Sequence, residues 1–127
     1  MTHRKNEEGQ ATIELALCIP LFVALMLLMA QVCGVLLAQL AVTQAAREGA
    51  RAAAIDPRPG TAATAARSAT GLNPARLSVE VSPSHRTPGE MVRVQVSYPM
   101  QISMPFSNTT LLRPVVQAEA AMLAEAP

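Results

Sequence analysis

The pattern of apolar and polar positions divides this chain into sharply different stretches. From Leu15 to Ala46 no residue is charged, and the run is dominated by Leu, Ala, Val and Met. About 20 apolar residues suffice to cross the hydrocarbon core of a bilayer, so this run predicts one transmembrane helix with length to spare. Between Ala11 and Ala54 only Pro20 opposes a helix. It removes one backbone donor and should bend the helix near its start, a distortion that spans tolerate. Towards its C-terminal end the pattern becomes amphipathic. Gln44, Arg47, Glu48 and Arg51 fall on one side of a 3.6-residue wheel, while Val42, Ala45, Ala46, Gly49 and Ala53 fall on the other. Glu48 and Arg51 stand at i,i+3 spacing, worth a few tenths of a kcal/mol.

Asp56-Pro57-Arg58-Pro59-Gly60 ends the long helix. Residues 61–70 read as a short second helix, with Gly71 as its stop and Asn73-Pro74 as a turn. The period then changes to two. Leu77, Val79 and Val81 alternate with Ser78, Glu80 and Ser82, and Val92, Val94, Val96 and Tyr98 alternate with Arg93, Gln95 and Ser97. Both segments predict strands. Residues 83–89 form a loop, and Pro99, Pro105 and Asn108 break up a long connection. Residues 114–125 are ambiguous. Their Ala, Glu, Met and Leu favour helix by propensity, yet Val116, Ala118, Ala120 and Met122 alternate with Gln117, Glu119 and Ala121. A strand is the better expectation, because a two-stranded hairpin alone is marginal. The resulting fold class is α+β. A long N-terminal transmembrane helix extends past the bilayer, followed by a short second helix and a small antiparallel sheet of about three strands. A core built from residues 55–127 alone is small and rarely supplies more than a few kcal/mol. The small-residue side of the projecting helix is therefore expected to complete it.

Composition narrows the function classes. The formal net charge is +1, the basic residues are scattered, and the aromatics are Phe22, Tyr98 and Phe106. Neither a basic face nor a stacking platform for nucleic acid is present. Cys18 and Cys33 both lie in the apolar run, roughly 22 Å apart along a helix at 1.5 Å per residue, too far to bond to each other. They read as small apolar fillers. His3 lies in the polar leader and His85 in a Pro- and Ser-rich loop, where Ser84-His85 lacks the third group that would orient a base. No Cys, His or carboxylate cluster has metal-ligand spacing, and no phosphate-cradling glycine loop is present. Asn108-Thr109-Thr110 fits a glycosylation sequon and reads as a polar loop. An enzyme is the least expected class, and no cofactor or metal is expected.

A removable secretory signal is the competing account of the apolar run. The leader mixes Glu7 and Glu8 with Arg4 and Lys5, and the run far exceeds the usual 7–15 residues. Alanine-rich stretches such as Leu37-Ala38-Gln39 keep that account open. Orientation is not decided by charge, since Arg4 and Lys5 lie on one side of the span and Arg47, Arg51 and Arg58 on the other.

The strongest functional signal is Glu14, a carboxylate at the lip of the span and five residues after Gly9. A carboxylate deep in lipid costs several kcal/mol unless it is paired or protonated, and less near the interface. Gly9-Gln10-Ala11-Thr12-Ile13-Glu14 resembles a type IV prepilin processing site. That resemblance implies cleavage between Gly9 and Gln10 by a membrane aspartyl peptidase. The freed amine of one subunit would then neutralise the Glu14 carboxylate of its neighbour.

Taken through Leu15-Ala16-Leu17 and joined to Gln44-Ala45-Ala46-Arg47-Glu48-Gly49-Ala50-Arg51-Ala52-Ala53, the pattern resembles the TadE-like family over roughly residues 5–54. These are pilin-like membrane proteins of the tight-adherence (Flp, type IVb) pilus systems. The resemblance implies a minor pilin or pseudopilin. Residues 1–9 would be a cytoplasmic leader, 10–54 a transmembrane and projecting helix, and 55–127 a small extracytoplasmic domain. The implied partners are membrane lipid, other pilin-like subunits, the pilus or secretion machinery and a prepilin peptidase. A single-pass accessory of a secretion system, never built into a fibre, is the alternative.

Small residues also recur every fourth position at Ala30, Gly34 and Ala38, and at Ala41, Ala45, Gly49 and Ala53. Such stripes permit close helix packing. The expectation is contact with partner helices in lipid and with the chain's own strand domain beyond it, with Glu14 roughly opposite the stripe.

Overall fold

The computed structural model describes residues 3–84, 87–103, 107 and 109–125, with side chains from Gly9 onward. His85, Pro105, Phe106 and Asn108, singled out above, lie outside the described residues, as does the side chain of His3. The observed architecture is the α+β arrangement expected: a long N-terminal helix, a short second helix and an antiparallel three-stranded sheet. Its contacts fall into two units, residues 1–33 and residues 34–127.

Helix α1 runs from His3 to Ile55 without interruption, with Pro20 inside it. It thus begins before Ala11, within the polar leader. The Arg, Lys and Glu of that leader are good helix formers, and the single Gly9 costs only about 1 kcal/mol against Ala. Helix α2 spans Thr61–Ser68, shorter than the 61–70 expected. It stops at Ala69, whose N–H donates to the Ala65 carbonyl, and not at Gly71. Gly60 precedes α2 at φ 91°, a left-handed conformation that suits glycine. The Asn73-Pro74 turn becomes a 3-10 turn over Pro74–Arg76, with the Asn73 side chain accepting from the Ala75 N–H.

The sheet is built from β1 (Ser78–Ser82), β2 (Met91–Pro99) and β5 (Val115–Leu123), in the order β1-β2-β5 with both pairings antiparallel. Residues 115–123 are therefore strand, as the period of two indicated, and pairing with β2 overrides their helix propensity. The connection between β2 and β5 is more ordered than its prolines suggested. Met100 N–H donates to the Pro114 carbonyl at 2.8 Å. Beyond that point β3 (Ile102–Ser103) pairs with β4 (Thr110–Leu112). Together β2 to β5 form one long hairpin with this ribbon towards its tip.

The core of the second unit lies between the sheet and the inner face of α1. Val92, Val94 and Val96 are 0% exposed, as is Val42 of α1. Around them pack Ala38, Ala45, Ala46, Ala50 and Ala53 of α1, Ala62 and Ala66 of α2, Leu77, Tyr98, Val116 and Ala124. Each fully buried valine contributes about 1.5–3 kcal/mol relative to exposure. The helix face is almost all alanine because the valines of β2 fill the space that larger side chains would need. Two hydrogen bonds fix how β5 lies along α1. Gln39 Nε2 donates to the Gln117 carbonyl at 2.8 Å, and Glu125 N–H donates to the Ala54 carbonyl at 3.0 Å. β5 therefore runs in the same direction as this part of α1.

Candidate functional site

Within the first unit every side chain described from Gly9 to Met26 is exposed, and the leucines, isoleucines and methionines among them are bare. Leu17, Leu21 and Leu28 are typical. An apolar helix with no protein over it is unstable in water, and its surface suits lipid. Among the described residues α1 is the one helix long and apolar enough to cross a membrane.

Glu14 interrupts that surface. Its carboxylate is exposed on α1, and among the described residues it has no ion-pair or hydrogen-bond partner. Gly9 and Gln10 are also exposed and helical, and an added Cβ at Gly9 would meet nothing within 4 Å. Gln10 and Glu14 are separated by about 6 Å of helix rise, one turn. Cys18 and Cys33 are free thiols on the exposed surface of α1.

The small-residue stripe divides. Ala38, Ala45 and Ala53 are buried in the core with the sheet. Gly49 has the closest approach. A Cβ there would meet Val94 Cγ1 at 3.1 Å, the Ala62 carbonyl oxygen at 3.3 Å and Ala66 Cβ at 3.3 Å. At Gly34 a Cβ would meet nothing within 4 Å, and Ala30 is exposed. The uncharged run to Ala46 therefore has different environments. From Ala38 onward one face of α1 is covered by the chain's own sheet. From Leu15 to Leu37 no residue is buried, only Leu27, Gln31, Gly34 and Val35 being half-buried, and that length is close to one bilayer crossing. Sequence reasoning missed this boundary, as well as the burial of Ala50 and Ala54. The drift of small residues from Gly34 to Ala38 was the available signal.

On the opposite face of this part of α1, Glu48 and Arg51 approach at 4.0 Å, both exposed. At the end of α1, Arg58 holds the Asp56 carboxylate through its guanidinium and its backbone N–H. These hydrogen bonds lower the Asp56 pKa from 3.8 to about 2. The pair borders a shallow depression with Thr61, Thr64 and Ser68. Among the described residues no group of His, Cys, Asp and Glu could hold a metal ion.

A single long apolar helix leading into a small extramembrane α+β unit fits a single-pass membrane protein. Residues 9–51 match the family model described as TadE-like protein. This is the stretch that begins with Gly9-Gln10 and includes Glu14 and Gln44–Arg51, so the chain carries a TadE-like segment over about a third of its length. No curated protein and no solved structure matches the chain.

Proposed function

We propose that this protein is a non-catalytic, pilin-like subunit of a tight-adherence pilus or related secretion system, a minor pilin or pseudopilin. It sits in the cytoplasmic membrane with its N-terminus cytoplasmic and its sheet unit extracytoplasmic. The observation that carries the reading is the coincidence of the TadE-like match with an uncovered apolar helix headed by Gly9 and Glu14.

The physical role follows from these residues. A prepilin-type peptidase cuts between Gly9 and Gln10. The new Gln10 amine and Glu14 then present opposite charges one turn apart on each subunit. Pairing between neighbouring subunits offsets the cost of holding a carboxylate at the edge of lipid and sets axial register. The bare leucine surface of α1 supplies the contact with lipid and sister helices.

The mass and N-terminal sequence of membrane-extracted protein test this reading. A mature chain starting at Gln10 is expected. Glu14→Ala is expected to leave the protein in the membrane and to abolish its co-purification with pilin-like partners. An intact N-terminus would instead favour a single-pass accessory outside any fibre. A start near Ala38 would mean removal of a secretory signal.

A further inference from the structure

The two hydrogen bonds between α1 and β5 give the sheet unit a defined top and bottom. Gln117 lies level with Gln39, and Glu125 lies level with Ala54. The start of β5 is therefore at the end of the unit where α1 enters it, near Gly34–Leu37. Val115, two residues before Gln117, sits about 7 Å further in that direction at about 3.4 Å per residue. The β3–β4 ribbon leaves the sheet at this same end, through the Met100–Pro114 hydrogen bond.

The ribbon's chemistry is unlike that of the sheet's open face. The middle of that face carries Glu80, Arg93, Gln95, Gln117 and Glu119, with Arg93 and Glu119 paired at 3.3 Å, while exposed Met91 and Leu123 pair at its far end. The ribbon and the adjoining start of β5 expose Leu111, Leu112 and Val115. From Gln101 to Val115 the sequence has no acidic residue, and its one charge is Arg113. The helix at this level exposes Leu36, Leu37 and Leu40.

We infer that the β3–β4 ribbon is a membrane foot. Leu111, Leu112 and Val115 rest in the headgroup–acyl boundary beside α1, and Arg113 contacts the phosphates of anionic lipid. The occupant is lipid because, within this unit, the ribbon stands at the same end as the exposed Leu36, Leu37 and Leu40 of α1 and its one charge complements anionic headgroups. Apolar area and basic charge act together at such interfaces. A foot of this kind sets the height and tilt of the sheet unit on the bilayer, which one helix alone leaves free. The inference rests on α1 being a membrane span and not on any pilus role.

Leu112 and Leu123 provide a matched test, since both are 63% exposed and stand at opposite ends of the long hairpin. Full-length protein in a Cys18→Ala, Cys33→Ala background is reconstituted into phosphatidylcholine vesicles with or without phosphatidylglycerol. A fluorescent label is placed through Leu28→Cys, Leu112→Cys or Leu123→Cys and quenched by nitroxide-bearing lipid. Leu28 and Leu112 labels are expected to be quenched and the Leu123 label not. In the phosphatidylglycerol vesicles Arg113→Glu is expected to lower the ratio of lipid-quenched to unquenched Leu112 label by about fivefold or more. If Leu112 behaves like Leu123 while Leu28 is quenched, the foot is refuted and the span stands. If Leu28 also escapes quenching, the span has failed and takes the foot with it. A Leu112 label shielded from aqueous iodide yet untouched by lipid quencher overturns the inference in favour of a protein partner. Indifference of Arg113→Glu to phosphatidylglycerol removes its assigned contact.

Discussion

The two halves of α1 share a helix and, as far as Ala46, a lack of charge, yet they meet opposite surroundings. Up to Cys33 most side chains are exposed, and large apolar ones are frequent among them. From Ala38 to Ala54 the inner face is almost all alanine and is sealed by β2 and β5. The difference is one of size. Leucine offers surface that only lipid or another helix of this kind can cover. Alanine and glycine offer little surface but let a sheet approach the backbone, so that valines from the sheet do the filling. A helix can thus suit lipid at one end and form half of a folded core at the other while its inner face stays apolar throughout.

The strongest way to break this comparison is to place a carboxylate in the lipid-facing half of α1 and another in the sheet that covers the other half. Val94→Asp, opposite the alanine face and fully buried, leaves a charge without a partner, a loss of several kcal/mol that should unfold the sheet unit. Tyr98 is the one tyrosine and the chain has no tryptophan, so its fluorescence reports that core alone. Leu25→Asp should instead cost membrane insertion about 2.5–3.5 kcal/mol while leaving the Tyr98 signal of detergent-solubilised protein native. Loss of the Tyr98 signal in both variants would mean that the halves are not independent.

Gly34 and Gly49 sharpen the same contrast at a smaller scale. Gly49→Leu drives a side chain into Val94, Ala62 and Ala66 and should destabilise the sheet unit by about 1–3 kcal/mol or more. Gly34→Leu finds open space and should lie within about 0.5 kcal/mol of wild type. Urea titrations followed by Tyr98 emission compare them directly. Next in size is Gln39→Ala, which removes the hydrogen bond to the exposed Gln117 carbonyl and should cost about 0.5–1.5 kcal/mol. Hydrogen exchange should then show faster opening at the start of β5 than at its end.

The smallest effect is the pH dependence at the end of α1. In the folded chain the Asp56 carboxyl titrates at about 2, below its ordinary 3.8, because Arg58 donates to its charged form. The unfolded chain therefore takes up this proton first. The contribution of the pair is fully present above about pH 4 and fades as the pH falls towards 2. Asp56→Asn should remove that part of the acid sensitivity, seen as a shallower fall of the Tyr98 melting temperature between pH 4 and 2. Both groups are at the surface, so the change is a small one.

Much of this molecule was legible one residue at a time. An uncharged leucine-rich run implies a helix in lipid because no other element satisfies its own backbone there. Alternation at Val92, Val94, Val96 and Tyr98 implies a strand with one dry face because side chains leave a strand on alternate sides. The Gly9–Glu14 spacing and the Gln44–Ala53 segment carried the family resemblance. The Asp56–Gly60 breaker fixed the end of α1 through local dihedral constraints.

Tertiary structure alone decided the rest. Whether residues 115–123 are strand depended on an open edge of β2 being within reach, and their own propensity pointed the other way. The prolines between β2 and β5 suggested an irregular link, but the hairpin register carried strand pairing past Pro99 and Pro114. The place where α1 passes from lipid to its own sheet could not be read from charge, which is absent on both sides as far as Ala46. It is set where side chains become small enough for valines more than forty positions later in sequence to reach the helix. Local patterns determine which elements form because they act over a few residues. Which surface covers which is decided by contacts between residues distant in the chain, and these exist only once the chain has folded.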